Sequence, residues 1–165
     1  MRTLPLWAAL AAVALALPVS AQAAGHAPAG HESAQAPRAA TVKARSDRWE
    51  ARVVALTNHR REDHGRKPLK AASCPDGFAE PWTRHLATKQ VLVHQDLGPM
   101  LRCPHTSTAG ENIAFGFDSP RALVSAWMHS EGHRANILNP RFHRIGVSGW
   151  RATDGTTYAT QDFVG

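Results

Sequence analysis

Hydrophobic and polar positions change period several times along this chain, and each change marks an element. Leu4 to Leu17 is an almost unbroken apolar run, interrupted by Pro5 and preceded by Arg2. Residues 24–46 lose that character and turn to Ala with Pro, Gly, Gln and Ser. From Asp47, a capping residue, Trp49, Val53, Leu56 and Arg60 recur at helical spacing, and His64-Gly65 ends the stripe. Lys67-Pro68-Leu69 resumes in extended form, because a residue before proline avoids the helical region. A second helical pattern places Phe78, Ala79, Trp82, Leu86, Gln90 and Val93 on one face between Asp76 and Val93. Pro81 moves its expected start towards Glu80, so that the proline falls in the first turn. Ser119-Pro120 predicts a capped third helix that buries Leu123, Val124, Trp127 and Met128. Gly132 interrupts it, and His133 to Leu138 adds one or two turns before Asn139-Pro140. The last segment alternates instead. Ile145 to Gly149 and Thr156 to Phe163 predict two strands joined near an Asp154-Gly155 turn. Helices followed by a small antiparallel sheet predict an α+β fold or a layered α/β/α sandwich.

The first 46 residues separate from the rest. The cation, the short apolar run and the small-x-small triplet Ala21-Gln22-Ala23 predict a signal peptide over residues 1–23. The apolar run is short for a ~30 Å hydrocarbon core, so a transmembrane anchor is not expected. Residues 24–46 read as a flexible linker, with His26 and His31 solvated in it, and residues 47–165 as one folded domain. Export changes the reading of the charge. A net charge of +6 suits nucleic acid, but outside the cell it suits anionic envelope polymers or lipid headgroups, and the cations look scattered rather than clustered. It also changes the reading of the cysteines. Cys74 and Cys103 most simply form one disulfide in an oxidising compartment. A metal site on Cys103 and His105 is the alternative, without the paired spacing zinc usually requires.

The candidate chemistry lies in two stretches, Gly110-Glu111-Asn112-Ile113-Ala114 and Ser130-Glu131-Gly132-His133-Arg134-Ala135-Asn136-Ile137-Leu138. Ionisable groups beside apolar residues must find partners on folding. If His94, Glu111 and His133 converge, they can bind a divalent ion or transfer protons; otherwise each satisfies a local backbone group. His129-Ser-Glu-Gly-His133 has helical His spacing but not the order of a metalloprotease helix. No Gly-x-Ser-x-Gly occurs, and with both cysteines oxidised there is no candidate nucleophile. Trp127, Phe115, Phe117 and Phe142 either line a groove beside this cluster or belong to the core.

Taken in order, Gly110-Glu-Asn-Ile-Ala, Ala126-Trp127-Met-x-Ser130, Gly132-His133-Arg-x-Asn-Ile-Leu, Ile145-Gly-Val and Tyr158-x-x-Gln161-Asp-Phe163 resemble the CAP superfamily of SCP-like domains, in its compact bacterial branch. Leu56-Thr-Asn58-x-Arg60, Gly65-x-x-x-Leu69 and Val93-His94-Gln-Asp-Leu97 extend the likeness over about residues 50–165. The resemblance implies a three-layer α/β/α sandwich with a central cleft, faced in the family by two His and two Glu. His94 and His133 match the two His, which can hold a divalent metal, zinc foremost, and Glu111 matches the first Glu. Ser130 stands where the second Glu is usual, with Glu131 beside it, so metal binding should be weak. Asn112 completes the expected cleft. The implied function is a secreted, monomeric binding module for a small apolar ligand or an anionic cell-envelope component, with no nucleic acid. The alternative is a metal-dependent hydrolase of peptide or envelope polymers, with His94 and His133 as metal ligands and Glu111 as general base.

Overall fold

The computed structural model describes residues 35–165, with side chains from residue 46 onward. The expected signal peptide and the first part of the expected linker lie outside the described residues. Four helices are present: α1 (Gln35–Asp63), α2 (Ser73–Lys89), α3 (Pro120–Met128) and α4 (Glu131–Ile137). Four strands complete them: β1 (Lys70–Ala71), β2 (Ala109–Phe115), β3 (Arg144–Arg151) and β4 (Thr157–Val164). They form one sheet in the order β1-β3-β4-β2, with β1 parallel to β3 and the other pairs antiparallel. Among the described residues, no helix is long and apolar enough to cross a membrane.

Side-chain alternation on β4 divides the core into layers. Ala159 and Phe163 join Ile145, Val147, Val53, Leu123, Val124, Trp127 and Ile137 on the side of α1, α3 and α4. Tyr158 and Val164 meet α2 and the 3-10 turn Gly98–Arg102 through Leu86, Ala87, Met100 and Cys103. This is the expected α/β/α arrangement. Two glycines of β3 let the outer layers close on the sheet. A Cβ on Gly146 would lie 2.2 Å from the Asp76 nitrogen of α2, and one on Gly149 would lie 2.8 Å from the Trp49 ring of α1.

The capped third helix and the two-strand hairpin stand where the sequence puts them. The Ser119 hydroxyl accepts the Ala122 N–H, and Gly155 turns at φ +88°. Three expectations are corrected. The first helix begins at Gln35 rather than Asp47, so twelve residues assigned to a flexible linker are helical, in keeping with their Ala content. The second begins at Ser73 rather than near Glu80. Pro81 lies on its exposed side, where solvent can reach the carbonyl deprived of a partner. That helix also stops at Lys89, with Gln90 in the left-handed region and its N–H on the Leu86 carbonyl. Gln90 and Val93 are therefore exposed beyond the helix instead of sharing its buried face. The strand β2, buried from Gly110 to Ala114, has no counterpart in the sequence reading.

The Cys74–Cys103 disulfide is present, joining the first turn of α2 to the end of the 3-10 turn across 29 residues. It encloses the whole loop that carries His94.

Candidate functional site

The centre of the candidate site is the carboxylate of Glu111 on β2. Its side chain is 1% exposed, whereas that of its partner His94 is 63% exposed. His94 Nδ1 lies 2.6 Å from Glu111 Oε1. The next residue completes the shell. The Gln95 backbone N–H donates to Oε1 at 3.3 Å, and its side-chain amide donates to Oε2 at 2.7 Å. The same amide donates to both oxygens of Asp162, at 3.1 and 3.0 Å. Asp162 stands directly opposite Glu111 in the β2–β4 register. Burial, then the Glu111 charge, push the Asp162 pKa up to about 8, so it is a neutral acid at pH 7. The loop 90–97 is thus pinned through one glutamine to two cross-strand acids.

His133 enters from α4. Burial and the nearby His94 charge both lower its pKa, which keeps the imidazole neutral at pH 7. Its ring tilts against Trp127 at 6.4 Å between centroids. The buried Trp127 indole N–H has no partner among the described residues. Helix α4 is stitched to the edge of β2 by amides. Asn136 Nδ2 donates to the Glu111 carbonyl at 2.9 Å and to Asn112 Oδ1 at 3.0 Å. Asn112 Nδ2 donates to the His133 carbonyl at 3.2 Å and to Gln161 Oε1 at 3.1 Å. Gln161 then donates to Thr57 Oγ1 of α1 at 2.8 Å. Asn112 is therefore a strut between strand and helix.

The other candidates divide. Ser130 is half-buried as the residue that caps α4, while Glu131 is exposed in that helix's first turn and takes no part in these hydrogen bonds. Trp127 and Phe142 are core, and Phe117 packs against it. Phe115 is 51% exposed at the end of β2, stacked on Tyr158. Val91, Leu92 and Val93 are exposed immediately before His94. The Trp82 indole donates to the Val93 carbonyl and holds this run over the second core cluster.

Gln95 and Asp162 join the candidate site although neither is among the residues expected for it from the sequence. Their signal was present but faint: an acid in a β-branched and aromatic strand must be buried with a partner.

The sequence model of the cysteine-rich secretory protein family, CAP, matches residues 54–163. The uncharacterized protein YkwD of Bacillus subtilis (strain 168) is 38% identical over 126 residues, 71% of this chain and 47% of its own length. The chain thus spans about half the length of that curated relative. A cysteine-rich secretory protein of Staphylococcus aureus Mu50 superposes with a TM-score of 0.61 at 26% identity, covering 72% of this chain and 38% of its own. An extracellular protein containing a SCP domain, from Bacillus anthracis Ames, does so at 0.63 and 27%, covering 72% and 41%.

Proposed function

The chain belongs to the cysteine-rich secretory protein (CAP) family, and on that premise we propose that it is exported and binds a small ligand with an apolar body. The observation that carries this reading is the exposed run Val91-Leu92-Val93 placed directly before the His94–Glu111 pair. Exposed apolar side chains next to a polar cluster offer a ligand both area and orientation. Phe115 adds a second exposed apolar surface at the end of the strand that carries Glu111. Export is supported by the disulfide and by the secretory and extracellular descriptions of the relatives.

The same cleft carries residues suited to a divalent cation such as zinc. Glu111 fixes the Nδ1 side of His94, the second-layer arrangement that aims the remaining ring nitrogen at a metal. His133 is kept neutral, as a ligand must be. Among the described residues no group of three His, Cys, Asp or Glu converges as a metal site, so two imidazoles give modest affinity. Binding is preferred to hydrolysis because both Glu111 oxygens already accept hydrogen bonds from His94 and Gln95, which leaves a poor general base.

Titration with a fluorescent long-chain fatty acid and a fluorescent sterol tests the reading. Saturable binding, weakened about tenfold by Leu92→Glu and less by His94→Ala, is expected. Absence of saturable binding by both probes would refute it. Calorimetry with zinc alone should show weak binding that disappears in His94→Ala; tight binding that survives the substitution removes His94 from the assignment.

A further inference from the structure

Away from the His94–Glu111 pair, a cavity of about 610 Å³ opens between the end of α1, β1 and the segment before β3. Its lining includes Arg61, Arg66, Lys67, Lys70, His143 and Arg144, and no Asp or Glu. Four of them lie within residues 61–70, and the fold brings His143 and Arg144 from a distant segment to the same concavity. Arg66, Lys67 and Lys70 are exposed, and among the described residues none of the lining cations forms a salt bridge with a carboxylate.

Two features make this more than a basic patch. The first is Arg61, which is 1% exposed. Its guanidinium donates to the carbonyls of Lys67 at 2.7 Å, Ile137 at 2.6 Å, Asn139 at 3.0 Å and Phe142 at 3.3 Å. All of these acceptors are neutral. A buried charge ordinarily has a counter-charge, and here none is supplied by the described residues. Burial and the nearby Arg66 lower its pKa, as expected for a cation among cations. The second feature is the β1–β3 pairing, which sets Lys70 directly opposite Arg144. Like charges in cross-strand register destabilise a sheet. Arg144 also finds only neutral partners, the His105 carbonyl and the Thr106 hydroxyl. Both unfavourable arrangements are relieved by one anion in the cavity.

We infer that this cavity is a binding site for a phosphate-bearing anion, separate from the cleft. Exposed Arg66 provides a forked donor that matches phosphate oxygens, the lysines add point charges along the rim, and Arg61 contributes its charge from beneath. The volume exceeds that of one phosphate group, and the multiple cations favour a ligand with several. The apolar part of the lining, Pro68, Pro140 and Phe142, suits the carbon spacers between such groups. For an exported chain, a soluble phosphodiester polymer and an anionic lipid headgroup both present this chemistry.

The full chain is titrated with long-chain inorganic polyphosphate, and separately with phosphatidylglycerol–phosphatidylcholine vesicles, in 0.15 M salt. The test variant is Arg66→Glu with Lys70→Glu. The control reverses the same charge at two exposed positions outside the cavity, Arg52→Glu with Arg121→Glu. Thermal melts confirm that each variant folds. The site predicts at least a tenfold loss of polyphosphate affinity in the test variant, less than threefold in the control, and a log–log salt slope shallower by about two. Equal sensitivity of vesicle binding assigns the lipid headgroup as a source; polyphosphate binding alone assigns the soluble polymer. The inference is overturned if neither probe binds, or if the control loses as much affinity as the test variant and only net charge matters. Neither result bears on the fatty-acid and sterol binding of the cleft.

Discussion

The carboxylate of Glu111 meets an imidazole and a carboxamide, while the guanidinium of Arg61 meets four backbone carbonyls. Both side chains are buried, and both are fully engaged, yet they do different work. Glu111 reaches the surface through His94, so its charge is shared with an exposed, titratable ring. Arg61 reaches inward, tying the end of α1 to the segment between α4 and β3. One arrangement carries a polar cluster to the solvent-exposed surface. The other fastens the backbone and leaves a positive charge beside an open cavity. The difference teaches that hydrogen-bond saturation and charge compensation are separate conditions: Arg61 meets the first without the second.

The sharpest way to break the contrast is to remove the arginine. Arg61→Met should destabilise the protein by about 4 kcal/mol, because it strands several buried carbonyls. A urea midpoint within error of wild type would show that water replaces the guanidinium. The glutamate arm is held from outside by the disulfide. Cys74→Ser with Cys103→Ser should cost about 3 kcal/mol through the unfolded chain, and hydrogen exchange should rise across residues 90–103 while the Arg61 region stays protected. Glu111→Ala should cost about 2 kcal/mol, because His94 and Gln95 lose their shared acceptor. Chemical denaturation at pH 7 measures it.

A smaller effect sharpens the glutamate arm. The raised Asp162 pKa of about 8 means that the folded chain keeps a proton which the unfolded chain releases above about pH 4. Stability from this group is complete below pH 4 and declines as pH rises through 8. Asp162→Asn should therefore stabilise the protein by about 1 kcal/mol at pH 8, with the gain vanishing near pH 4. Stability curves that stay parallel across that range would contradict a neutral Asp162. Smallest of all, His94→Ala should cost under about 1 kcal/mol, since the ring is exposed and Gln95 still holds Glu111.

Much of this architecture is legible in the chain. Ser119-Pro120 and Asp154-Gly155 mark their helix and turn because local geometry alone decides them. His94, Glu111 and His133 are recognisable as a group through their motifs. The rest depends on contacts that local pattern does not encode. Strand β2 is buried along most of its length, so Gly-Glu-Asn-Ile-Ala shows no alternation. Pro81 suggests a helix start, yet burial of Pro75 and Ala79 extends α2 by about two turns beyond it. Arg61, Arg66, Lys67 and Lys70 are neighbours in the sequence, but that Arg144 joins them is decided only where β1 meets β3 in three dimensions.

The bridge between Cys74 and Cys103 has a bearing on when the cleft comes into being. The tether that closes around His94 and Gln95 is made only where thiols are oxidised. A reduced chain lacks the strap across the loop that carries His94 and Gln95. The hold on that loop is thereby tied to an oxidising environment, and a reduced copy keeps it more loosely than an oxidised one.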